Sequence, residues 1–201
     1  MIQTKSAERP AAPETLERFD EARAAAVAVR LAGLMGLYRR DPGSPIEPAT
    51  LEAIGAAAAR SGIGETAVAA PRHGRRRRRP AAALLEALEA SPLPEAEIRS
   101  TAATIGWERL AELSGASLPS LRRYAAGTRG TPDPVAHRVH FLARILATLA
   151  GSYNEFGARR WLERPRTVLG GRAPASLLRG DWDPDDDGPR QVRELAEALL
   201  A

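Results

Sequence analysis

Residues 110–127, LAELSGASLPSLRRYAAG, concentrate the side chains best suited to reading a nucleic acid. Arg122 and Arg123 carry planar guanidinium forks that match the acceptor edge of guanine or the oxygens of a phosphate. If a helix starts after Ser117, Leu121 must face the core. Ser117, Leu118, Pro119, Arg122 and Arg123 then lie on its outer face, within reach of base edges or phosphates. Arg129, just past Gly127, completes the candidate DNA-binding set. Other chemistry is poorly represented. The chain has no cysteine, which excludes disulfides, thiolate nucleophiles and cysteine-based zinc sites. His137 and His140 stand three apart and could ligate a metal, but no third ligand accompanies them apart from Asp133, which has a helix to cap. A surface histidine pair is the simpler expectation. The run DWDPDDDG at 181–188 invites a calcium reading, yet an EF-hand beginning at Asp181 needs glycine where Asp186 stands and glutamate where Val192 stands. A solvated loop at a helix N-terminus accounts for it better. With no Ser/His/Asp set and no phosphate loop, an enzyme is not expected, and neither a cofactor nor a metal is called for.

The elements that must position this face follow from turn chemistry. Ala111 is small, as the close crossing of two helices requires. Gly115 can take the positive φ of a sharp turn, Ser117 can cap the next helix, and Gly127 can stop it. Together they spell a helix-turn-helix, although a helical hairpin inside an ordinary bundle carries similar marks. Around it, helices are predicted over 95–105 with Ile98, Ala102 and Ile105 inward, over 107–114 and over 118–126. A longer helix should run from Asp133-Pro134 to Ala150, with Val135, Val139, Leu142, Leu146 and Leu149 on one face. Beyond Gly151, helices are expected at 153–163, stopped by Pro165, at 174–178, closed by Gly180, and from Pro189 to the end, with Val192, Leu195, Ala196 and Leu199 as its stripe.

Strand formers are sparse and alanine is abundant, so the class is all-α. Against 25 acidic residues stand 29 basic ones, a net charge of +4 and a pI near 10.2, which permits nucleic acid as a partner without demanding it. Lys5 is the only lysine, but GC-rich coding accounts for arginine as readily as function does. The first residues show no apolar signal region, and the most apolar run, 24–38, is interrupted by Arg30 and too short to span a bilayer. No membrane association and a cytoplasmic location are expected. Residues 1–13 read as disordered. Leu16, Phe19, Val27, Leu31, Leu34 and Tyr38 make a helical stripe over 14–40, and a second helix, 50–60, has only Leu51 and Ile54 as large apolar anchors. Residues 75–79 are five consecutive arginines, either a solvated linker or a sequence-independent phosphate clamp. A short helix, 81–90, precedes the Pro-rich step at 91–94. Three segments result: a loosely packed, helical and partly disordered region over 1–90, a DNA-binding helix-turn-helix bundle over 91–150, and a small helical domain over 151–201.

The order of residues in the last segment is distinctive. Trp161, Arg164-Pro165, Leu169-Gly170, Arg172-Ala173-Pro174, Leu177-Leu178 and Gly180, followed by a helix with Val192 and Leu195, resemble the toxin-binding domain of Xre/MbcA/ParS-type antitoxins. The upstream helix-turn-helix, with Tyr124, Gly127 and Pro132 after it, is arranged as in those proteins. The resemblance covers about residues 95–201; residues 1–90 match nothing in the short antitoxins. It implies a type II antitoxin, acting as a homodimer or a toxin–antitoxin hetero-oligomer. Its partners would be a RES-domain toxin that degrades NAD⁺ and the operator DNA of its own operon. The implied toxin contacts are Trp161, Arg164, Arg172, Pro174, Leu178, Leu195 and Leu199, though Trp161 and Trp182 suit a core equally well. A stand-alone transcriptional regulator, using 153–201 for dimerisation or ligand sensing, is the competing reading. An interaction protein with a degenerate helix-turn-helix is a third.

Overall fold

The computed structural model describes residues 13–41, 43–64 and 80–200. Among them are nine α-helices and no strand, only a single antiparallel bridge between Arg166 and Arg172. The chain is all-α, as its composition requires. No described helix is long and apolar enough to cross a membrane. Residues 1–12 and the arginine run at 75–79 lie outside the described residues.

Helix α1 (Pro13–Leu34) packs along α3 (Pro80–Glu89) and α7 (Asp133–Leu149), with α2 (Pro48–Arg60) alongside. It ends at Leu34, not near residue 40. Gly36 adopts φ +72°, and the Leu37 amide bonds back to Ala32 O at 2.9 Å, closing the helix seven residues before the Asp-Pro-Gly stop. Nor does the whole predicted stripe point inward: Phe19 is exposed. The described N-terminal helices are closely packed rather than loose. Ala28, Leu31, Ala32, Ile54 and Leu88 are fully buried in one cluster, which also takes in Ile63 and the far side of α7 through Ala143 and Ala147. Small alanines let the helix axes approach closely, so few large side chains are needed to fill the space. Glu21 fastens α1 to α3 by accepting from the exposed first amides of α3, Ala81 N at 2.6 Å and Ala82 N at 3.4 Å.

The second cluster is built by α4 (Pro94–Ile105), α5 (Trp107–Ser114), α6 (Leu118–Ala125) and the opposite face of α7. Ile98, Ala102 and Ile105 face it as predicted, joined by Leu110, Leu113 and Leu121. Helix α7 is therefore central, buried on two sides and shared by both clusters. Asp133 is its first residue and makes no cap bond; Pro132 occupies the cap position instead. The chain then turns into α8 (Glu155–Glu163), capped by Asn154, two 3-10 turns (Thr167–Leu169 and Pro174–Leu177), and α9 (Asp187–Glu197). Ala158, Trp161, Leu162, Leu178, Trp182, Val192 and Ala196 insert into the same cluster as α4 to α7. Residues 151–200 are thus folded against the preceding helices rather than apart from them.

Candidate functional site

The turn between α5 and α6 is held from both sides of the chain. Gly115 takes φ +71°, and Ser117 caps α6, accepting from Ser120 N at 3.3 Å. Gly127, at φ +68°, stops it, with Thr128 N returning to Arg123 O. These are the positions the spacing predicted. What the spacing does not reveal is how the end of α5 is satisfied. The last carbonyls of a helix have no partner within it. Here Trp182 Nε1 donates to Leu113 O at 2.8 Å, and Arg138 Nη1 donates to Ser114 O at 3.4 Å. Arg138 is buried on α7; its Nε donates to Trp182 O at 2.6 Å and its Nη2 pairs with Asp181. Trp182 in turn stacks edge-on against Phe141, with ring centroids 5.3 Å apart. The acidic loop is therefore solvated only in part: its tryptophan is core, clamping the α5–α6 turn to α7. Gly115 is required for its positive φ, and a Cβ there would also lie 2.8 Å from Arg138 Nη1, which would have to shift.

On the outer face of α6, Pro119, Arg122 and Arg123 are exposed, Leu118 is half-buried, and Arg129 is exposed just beyond the helix. The Ser117 hydroxyl is taken up by its cap and by Ser120 Oγ at 2.9 Å. Arg122 lies over the Trp107 ring at 5.7 Å and Arg129 over Tyr124 at the same distance, so aromatic faces hold both guanidiniums. None of Arg122, Arg123 and Arg129 forms an ion pair within the described residues. Trp107, as the support for Arg122, was not singled out by the sequence. Its signal was its place one turn before Leu110 and Ala111.

The residues implied as toxin contacts divide by depth. Trp161 and Leu178 are fully buried, Pro174 is buried with them, and Leu195 is half-buried against the main cluster. Arg164, Arg172 and Leu199 are at the surface. Arg166 covers the Trp161 ring at 5.6 Å, and Arg172 Nε bonds Leu169 O at 3.2 Å. No known family, curated protein or solved structure matches the chain. Two further apolar side chains in this segment stand out in water: Phe156, 64% exposed on α8, and Val168, 75% exposed in the first 3-10 turn. Phe156 is two residues from Ala158, about 200° around the helix from the buried Ala158–Trp161–Leu162 stripe. That offset is visible in the spacing of the sequence.

His137 and His140 do not form a surface pair. His137 is exposed, whereas His140 is buried, its Nδ1 2.8 Å from Glu97 Oε1 and its Nε2 2.9 Å from Glu89 O. One helical turn of α7 places them at different depths because their side chains diverge by about 60°. No group of three or more His, Asp or Glu among the described residues is placed to hold a metal.

Proposed function

We propose that the chain is a type II antitoxin that represses its own operon through α6 and neutralises an NAD⁺-degrading RES-domain toxin through residues 151–200. The observation carrying the DNA-binding part is a capped, clamped α6 that offers Arg122, Arg123 and Arg129 to solvent without competing ion pairs. A rigid helix with preplaced guanidiniums loses little side-chain freedom on binding, and each good bidentate base contact contributes about 1–3 kcal/mol. Gel-shift titration of Arg122→Ala/Arg123→Ala against promoter DNA is expected to show weakened binding and relaxed sequence preference. Wild-type affinity and preference would remove α6 as the reading element.

The partner-binding part rests on the resemblance and on where apolar surface is left uncovered. Phe156 and Val168 join Arg164, Arg172 and Leu199 as surface groups of the segment, while Trp161, Pro174 and Leu178 act from beneath by shaping it. Exposed aromatic residues next to arginines are the composition of interface anchors. Co-expression of Phe156→Glu/Val168→Glu with the toxin is expected to abolish protection while the purified variant keeps its helicity and DNA affinity. Full protection by that variant would exclude this surface. A stand-alone regulator predicts no toxin at all, so a neighbouring gene that is harmless when expressed alone would favour it.

A further inference from the structure

A cleft of about 290 Å³ opens where α1, α7 and α8 meet, with Thr104 at the end of α4 also lining it. Its walls are mostly apolar, with Leu34 from α1, Leu146 and Ala150 at the end of α7, and Tyr153 and Ala158 from the α8 side. Arg30 reaches into it from α1. The guanidinium lies tightly over Gly151, where an added Cβ would meet Nη1 at 2.9 Å. No described residue hydrogen-bonds or pairs with it. Burial, and then the like charge of Arg40, push its pKa down. The end of α7 draws a cation there, and Leu146 O, Thr148 O and Leu149 O accept from the amides of residues 150–153 rather than from Arg30. The partly exposed guanidinium therefore keeps donors free for an acceptor entering the cleft.

We propose that this cleft binds a small organic acid, one carboxylate on a compact apolar body, with Arg30 as the partner of the carboxylate. The volume is at the lower end of the roughly 300–1,000 Å³ that ligand pockets occupy. A single guanidinium suits a monoanion, and Glu155, which also lines the cleft, disfavours a second negative charge. The apolar walls exclude a bare inorganic anion as the best occupant. Because the walls come from α1, α7 and α8, an occupant would bridge the N-terminal helices to the segment beyond 150. The inference is independent of the antitoxin reading.

Thermal unfolding of the full chain tests it, with benzoate and 3-methylbutanoate as ligands and benzamide and inorganic phosphate as controls. The acids are expected to raise Tm progressively with concentration, as a ligand of the native state alone must, and the controls to act at least tenfold more weakly. Arg30→Gln is expected to fold with a Tm no lower than that of the unliganded wild type and to lose the response. Ala150→Leu, which narrows the cleft and keeps Arg30, is expected to lose it as well. The proposal is overturned if neither acid shifts Tm, if benzamide or phosphate matches them, or if Ala150→Leu responds fully. A large drop in the unliganded Tm of Arg30→Gln would make Arg30 a structural brace and overturn it too.

Discussion

Trp182→Ala is expected to cost about 3–5 kcal/mol of folding free energy, the range for emptying a buried large aromatic site. The residue is 5% exposed, stacks on Phe141 and donates to Leu113 O. Its removal leaves a cavity and strips a carbonyl at the end of α5 of its donor. It also removes the ring beneath the Arg138 guanidinium, which sits 5.7 Å from its centroid. The loss should be felt at the α5–α6 turn, about 70 residues away in sequence. Chemical denaturation of Trp182→Ala and Trp182→Phe separates the contributions. Phenylalanine fills part of the volume without the N–H, so it should restore packing but leave faster amide exchange in residues 113–117. Equal exchange in wild type and Trp182→Phe would show that the indole bond does not hold the turn.

The second large effect lies in the buried Glu97–His140 pair. Nε2 must donate, since Glu89 O can only accept. The Nδ1–Oε1 contact therefore carries one proton, and the pair is net neutral whichever side holds it. Leu93 N adds a bond to the same carboxylate oxygen at 3.2 Å. The pair thus ties α7 to the end of α3 and to the start of α4. Glu97→Leu or His140→Leu alone strands the other partner in a site where Glu97 has no exposure, and each is expected to cost about 3–5 kcal/mol. The double variant Glu97→Leu/His140→Leu removes both polar groups together and should be markedly less destabilised than the sum. Additive costs in that double-mutant cycle would show that the two side chains do not depend on each other.

Much of this arrangement was legible in the residues themselves. Helix class followed from alanine and the scarcity of strand formers. The α5–α6 turn was legible because Gly115, Ser117 and Gly127 act on their own backbone, through φ and short-range capping bonds that need no distant partner. The inward face of α4 followed from 3.6-residue periodicity. The end of α1 was misplaced because Asp41-Pro42-Gly43 is the louder local signal, while Gly36 ends the helix only through a five-residue back-bond.

Other features were decided by tertiary structure alone. Glu97 reads in sequence as an ordinary first-turn acid, and His140 as half of a surface pair; burial and a contact across 43 residues make them a core bond. Trp182 sits in an acidic run that predicts solvent, and Arg138 is one arginine among many; they become a clamp because α7 brings both to the end of α5. Arg30 interrupts an apolar run, and only the meeting of three helices leaves its charge facing a cleft. The physical reason is the same in each case. Local sequence specifies backbone conformation and the apolar face of each helix, whereas the partner of a buried charge is set by which helices pack together.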